Sequence, residues 1–236
     1  MPSKSDHSLF AIFDGHGGAG AAIFAADNLI RLIEETDEWK NYIASNGAEN
    51  PELIGNSIKK AYFEMDRILR IHQETVNSAD TSGCTAVCAM VTPNYVICVN
   101  AGDSRCVIGS NGTTIPLSED HKPQDDIERS RIENAGGTVQ WKRVDGDLAV
   151  SRAFGDFQYK NRPDLSASEQ KVSCEPDVRV HTRTLQDDIL LLACDGLWDV
   201  FSNSQAVELA REIMKSGETS AVLISEEMID SALNKG

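Results

Sequence analysis

The chain has 236 residues, 41% of them hydrophobic and 25% charged, with a formal net charge of −15. That length and apolar content suffice for one large domain or two small ones with a buried core, and exclude a disordered chain. So acidic a surface repels phosphate backbones and argues against nucleic acid as a partner, and no apolar run reaches the roughly 18 residues that would span a membrane.

The first apolar run, residues 9–13, predicts a short buried strand that stops in Asp14-Gly15-His16-Gly17-Gly18. Residues 21–35 repeat with helical spacing and put Ile23, Ala26, Ile30 and Ile33 on one face. A second helix is predicted over 51–73, with Pro51 in its first turn and Ile54, Ile58, Ala61, Met65, Ile68 and Leu69 at helical spacing. The composition then changes to Val, Ile, Thr and Cys. Residues 83–91, 95–101 and 105–109, separated by TPN and GDS, predict a meander of hairpins. A polar helix over 124–135 ends at Gly136 and Gly137, and 138–144 returns to strand. Residues 155–173 show no apolar period and are expected to form a long loop. Residues 189–194 predict a central buried strand that again ends in Asp-Gly, and helices are predicted over 204–215 and 220–233. With no repeat and no linker-like break, the chain reads as a single domain over 1–236, an α+β sandwich with helices before and after the strands.

Six cysteines, at 84, 88, 98, 106, 174 and 194, form no CxxC pair and are expected to be small buried hydrophobes in a reducing compartment. The N-terminus has no long apolar stretch, so no signal peptide is expected and the predicted location is cytoplasmic or nuclear.

Acids recur where apolar strands end. Asp14 follows LFAIF, Asp103 follows VICVNAG, and Asp195 follows ILLLAC with Asp199 four residues on. Strand ends of one sandwich converge on one rim, where clustered carboxylates repel unless a cation joins them. Mg²⁺ or Mn²⁺ suits carboxylate, carbonyl and water oxygens, and Gly15 can turn its carbonyl into such a site. The plainer alternative is that each Asp-Gly is only a turn. His16, beside the cluster, is a candidate general acid, while His7, His72, His121 and His181 have no such context.

Eight segments occur in order: LFAIFDGHGG, SGCTAVCAMV, VNAGDSRCVIG, LSEDHKP, RIENAGGTV, LAVSRAFGD, CEPDV and LLACDGLWDV. Together they resemble the metal-dependent protein phosphatases of the PPM, or type-2C, serine/threonine family. The resemblance implies a four-layer α-β-β-α sandwich of two central antiparallel sheets flanked by helix pairs. It also implies hydrolysis of phosphoserine and phosphothreonine in phosphorylated protein substrates by a metal-activated water. By that resemblance Asp14 bridges two ions, Mg²⁺ or Mn²⁺, Gly15 adds its carbonyl, and Asp195 binds the first metal. Asp103 and Asp199, with Asp195, match a weaker third-metal site, and His16 protonates the leaving alkoxide. Residues 155–173 fall at the flap beside the cleft, with Asp156 as structural support for it.

The family normally opens with strands carrying a phosphate-gripping arginine and a metal-binding glutamate, and closes with a metal-binding aspartate on a last strand. This sequence matches none of these elements, so it is expected to be truncated at both ends relative to the family, with weakened metal binding. Exposed sheet edges then predict a homo-oligomer. Asp6 and Glu119 are conceivable substitute ligands. The alternative function is a catalytically weak or inactive pseudo-phosphatase acting as a regulatory or phosphoprotein-binding module.

Overall fold

A computed structural model describes residues 1, 6–45 and 49–236. Its elements in chain order begin with β1 (Ser8–His16), α1 (Gly20–Glu35), α2 (Asp37–Ala44), α3 (Pro51–Thr75), β2 (Gly83–Val91), β3 (Tyr95–Ala101), β4 (Arg105–Ser110) and β5 (Thr113–Pro116). There follow α4 (Asp126–Asn134), β6 (Val139–Gln140), β7 (Arg143–Val144), β8 (Phe154–Gly155), a 3₁₀ turn (Phe157–Tyr159), β9 (Asp177–Thr182), β10 (Asp187–Ala193), α5 (Asp195–Trp198), α6 (Asn203–Lys215) and α7 (Ala221–Lys235).

Two sheets form the centre. One has the order β1-β2-β3-β9, with β8 joined to the start of β2, and the other has the order β10-β4-β5. Strand β2 shows why they stack. Its Ala86, Cys88 and Met90 pack with the helices α1 and α3, while Val87 and Ala89 face the second sheet. A strand covered on both faces carries a continuous apolar run, which is what GCTAVCAMV is. The same division holds on β10, where Ile189 and Leu191 pack with α6 and α7 and Leu190 and Leu192 face inward. The seam between the sheets is built from Val87, Ala89, Val96, Cys98, Cys106 and Ile108. The result is the expected α-β-β-α sandwich.

Helix α3 buries the predicted Ile54, Ile58, Ala61, Met65 and Leu69. Asn50 caps it by accepting from the Glu52 and Leu53 amides, with Pro51 in the first turn. The predicted face of α1 is wrong. Ile23 is 60% and Ile30 42% exposed, Ala26 is exposed too, and the helix buries Ala21, Ala25, Leu29 and Leu32 beside Ile33. This sequence offers two apolar stripes, and the one beginning with two alanines lies against β1 and α3. Helix α2 and strands β5 and β9 are not predicted from sequence. α2 is only eight residues long, capped by Thr36, and buries Trp39 and Tyr42.

Three further expectations are corrected. Strand β10 is an edge strand, half-buried and paired only with β4, not a central one. An apolar groove of about 610 Å³ beside it, lined by Ile12, Leu191, Leu197, Met228 and Leu233, accounts for its partial exposure. Residues 138–144 form a hairpin of two-residue strands instead of one strand, because Trp141 and Lys142 both adopt positive φ. Residues 155–173 are not structureless. Tyr159 and Val172 join Ile132, Val144, Val150 and Ala153 in a small buried cluster of their own. Among the described residues β1 and β10 each leave one edge unpaired, the feature on which the expected self-association rests.

Glu128 of α4 ties that cluster to the sandwich. Its carboxylate accepts from Arg152 Nη2 at 2.7 Å and Ser151 Oγ at 2.6 Å, and pairs with Arg131 at 2.7 Å. Burial works against the charge, but the two guanidiniums outweigh it and hold Glu128 down at about 2, from an ordinary 4.5. A depressed carboxyl stabilises the fold above its unfolded value and loses that contribution as pH falls. Glu128→Ala is therefore expected to cost about 3 kcal/mol at neutral pH, because it strands buried cations. In urea unfolding the gap to the parent protein should close as pH falls from 4.5 towards 2. A gap that stays constant over that range would refute the assignment.

Candidate metal centre

Strand β1 does not stop at Asp14. Pairing continues through Asp14–Thr85, Gly15–Cys84 and His16–Gly83, and the turn is made by Gly17 and Gly18, with φ of 66° and 138°. Alternate residues of a strand share a face, so Ile12, Asp14 and His16 lie in line. Ile12 belongs to the seam between the sheets. Asp14 and His16 thus continue the inter-sheet face out to its rim. On β10 the inward residues are Leu190 and Leu192, and the extended Cys194 continues them. Asp195 opens α5 one residue later.

The two sheets therefore deliver Asp14, Cys194 and Asp195 to one point, with one ligand atom from each lying within 4.8 Å of the others. Electrostatics mark the place as short of positive charge. Burial and the charge of Asp103 push the Asp14 carboxyl up, partly offset by His16 and by a hydrogen bond with Asp195. Burial and the charges of Asp103, Asp14 and Asp199 push Asp195 up as well. The Cys194 thiol is also raised, chiefly by burial and by the same two aspartates.

Asp103, in the turn between β3 and β4, is 4% exposed and does not join the close group. Lys122 Nζ lies 2.6 Å from its Oδ2. Burial alone would lower the ammonium, but the hydrogen bond and charge of Asp103 more than compensate and raise it. Asp199 is exposed and linked to Asp195 through the helical turn, its amide donating to the Asp195 carbonyl at 2.8 Å. Gly15 sits between Asp14 and His16, and a side chain there would come within 3.0 Å of the Gly18 carbonyl oxygen.

Among the described residues the His16 ring is held by a single hydrogen-bond partner. Its Nε2 lies 2.7 Å from Asp156 Oδ2, with the histidine side chain 30% and the aspartate 4% exposed. Burial would lower the imidazole, but the bond to Asp156 and the charges of Asp156, Asp14 and Asp103 raise it overall.

A comparison with protein families bears on these residues. The family model for Protein phosphatase 2C matches residues 1–236. The chain belongs to that family. It is 40% identical to Protein phosphatase ppm-1.A of Caenorhabditis elegans, over 98% of this chain and 50% of that protein. It is 37% identical to Protein phosphatase 1A of Homo sapiens, over 97% of this chain and 59% of that protein. The chain thus spans about half to three-fifths of the length of these curated relatives. Among solved structures it resembles the serine-threonine phosphatase 2C from Toxoplasma gondii, with a TM-score of 0.85 and 27% identity, covering 99% of this chain and 82% of that one. The protein phosphatase 2C fold therefore extends over the described chain.

In this protein phosphatase 2C chain the donor set fits a hard divalent cation. Two carboxylates converge, each made harder to ionise by burial and by the charge of Asp103, and a cation removes that penalty. The suggested substitutes do not contribute. Asp6 lies before the opposite end of β1, where it bonds His7, whose other nitrogen meets Tyr42. Glu119 pairs with Arg179 on β9. His121 has more context than the sequence suggests, accepting from the Gly102 amide at 3.1 Å and meeting Asp177 at 3.2 Å. All six cysteines are free thiols, with Cys88 pushed up to about 12 by burial. Cys194 is the exception to the buried, inert reading, being half-buried beside the acids. Sequence reasoning missed it, Lys122, and the bond of Asp156 to His16. The alternation of ILLLAC would have placed the thiol on the inward face, while the other two contacts are purely tertiary.

Proposed function

We propose that this chain hydrolyses phosphoserine and phosphothreonine in proteins. Asp14, Gly15 and Asp195 would hold Mg²⁺ or Mn²⁺ in a two-ion centre, and Asp103 and Asp199 with Asp195 would form a weaker third site. The observation that carries the reading is the meeting of Asp14 and Asp195 from different sheets, both pushed up by burial and like charge, with His16 on the same rim. Bound divalent ions supply neutralisation of the phosphate oxygens and a lowered pKa for the attacking water.

The rest follows from the chain's own groups. The carboxylates of Asp14 and Asp195 offer hard oxygen donors of net negative charge, matched to that ion class. Lys122 offsets the charge of Asp103 nearby. His16, its basicity raised by the bond to Asp156 and by its acidic neighbours against the effect of burial, is the group placed to pass a proton to the leaving serine or threonine oxygen. No nucleophilic cysteine is needed, in keeping with the buried, protonated thiols of Cys88 and Cys174. The relatives, named protein phosphatases, lend no support to a non-catalytic module.

The test is release of phosphate from a phosphothreonine peptide with Mn²⁺ added and withdrawn. Turnover should appear with millimolar Mn²⁺, vanish with chelator, and be higher with Mn²⁺ than with Mg²⁺, which demands near-ideal octahedral geometry and gives up water reluctantly. No phosphate release at millimolar Mn²⁺ from folded protein would defeat the proposal.

A further inference from the structure

Three strands bring together residues that the sequence keeps far apart. His16 on β1 is the register partner of Gly83 on β2, and Gly83 is the register partner of Gly155 on β8. Asp156 follows immediately, and its carboxylate crosses over Gly83 to reach His16 Nε2 at 2.7 Å. The crossing requires both glycines. A Cβ on Gly83 would lie 2.2 Å from Asp156 Oδ2, and one on Gly155 would lie 2.3 Å from the Ser82 carbonyl oxygen. Gly155 has φ of 75° and Asp156 itself has φ of 54°, a left-handed conformation that a non-glycine residue rarely adopts and that gathers at functional sites.

The turn is also pinned from behind. The Gly155 amide donates to Asp66 Oδ1 at 2.9 Å, and Lys160 Nζ donates to the same oxygen at 2.7 Å and to the Ala153 carbonyl at 2.8 Å. The Tyr159 amide closes the 3₁₀ turn onto the Asp156 carbonyl at 2.9 Å. Among the described residues His16 Nδ1 has no hydrogen-bond partner, so it is the ring nitrogen left to meet a substrate.

We propose that Asp156 is a positioning residue for proton donation: it grips Nε2, fixes the plane of the His16 ring, and leaves Nδ1 as the atom that donates to the leaving oxygen. The proton on Nδ1 goes to the serine or threonine oxygen as its bond to phosphorus breaks, while Nε2 stays hydrogen-bonded to Asp156. A carboxylate behind a working histidine orients the ring, and loss of such partners typically costs about 10–100-fold. Because the Asp156 side chain is almost fully buried, bulk water does not compete for its bond to His16.

This inference rests on His16 being the general acid, and the experiment separates the two claims. Asp156→Asn, Asp156→Gly and His16→Gln are assayed with Mn²⁺ on a phosphothreonine peptide and on p-nitrophenyl phosphate, whose phenolate leaves without much help. Glycine suits the left-handed backbone, so Asp156→Gly keeps the test alive where the asparagine variant fails to fold. The expected result is a fall of about 10–100-fold in the peptide-to-aryl ratio of kcat/KM for both Asp156 variants, with formate restoring part of it in Asp156→Gly. Adding Asp156→Gly to His16→Gln should change the ratio no further. Equal slowing of both substrates in the Asp156 variants, while His16→Gln still discriminates between them, would make Asp156 merely structural and overturn the proposal. Failure of His16→Gln to discriminate would remove the general acid itself, and the positioning role with it.

Discussion

Asp14→Asn is expected to reduce Mn²⁺-dependent phosphate release by about 100-fold or more, while the metal-free protein melts at the same temperature or higher. The first half follows from position. Asp14 stands between Asp195 and His16 at the rim of the seam, and an amide of the same shape offers no charge to a divalent ion. Loss of even an outer-shell partner can cost up to about 100-fold, and in the proposed two-ion centre Asp14 would be a direct ligand. The second half follows from the sign of the shift. The Asp14 carboxyl is pushed up by burial and by Asp103, so its ionised form works against the fold at neutral pH. Removing that charge relieves repulsion. Phosphate release and thermal melting without metal check both halves. A variant keeping more than about a tenth of the parent turnover would exclude the two-ion role, and a sharp drop in Tm would mean that Asp14 holds the fold instead.

His16→Gln is expected to slow phosphothreonine peptides by roughly 10²–10⁴-fold, the usual worth of a general acid, and aryl phosphates far less. Glutamine can keep a hydrogen bond towards Asp156 but has no proton to give at neutral pH. The ring is raised in basicity by Asp156, Asp14 and Asp103, which favours the protonated form that a leaving group needs. Steady-state kinetics on the two ester classes decide the matter. Equal slowing of both would show that His16 serves binding or folding and not the leaving group.

How far the sequence could be read depended on how local the cause was. Helix α3 was legible because its proline and its apolar stripe are written within one stretch. Strand β2 was legible because burial on both faces leaves an unbroken apolar run. The burial face of α1 was misread because Ile23 and Ile30 make a convincing stripe, and only the neighbours β1 and α3 decide that the alanine side turns inward. The same rule governs the site. Asp14 and Asp195 were readable as acids at the ends of apolar strands. Cys194 needed the direction of alternation as well. The contacts from Lys122 to Asp103 and from Asp156 to His16 needed the packed molecule, since nothing near His16 in the chain announces a carboxylate brought in from β8.

The two acids that define the centre hang from different sheets, and side chains packed in the seam, Val87, Ala89, Val96, Cys98, Cys106, Ile108 and Leu117 among them, set how far apart those sheets stand. Interiors pack closely enough that one added methylene is felt. Ligand spacing is therefore a property of core volume. Widening the seam at Ala89 or Cys106 would move one carboxylate away from the other and detune cation affinity from a distance, with every ligand still in the sequence. Variation in activity among natural forms of such a chain can thus arise in its interior, from side chains that never meet metal, water or substrate.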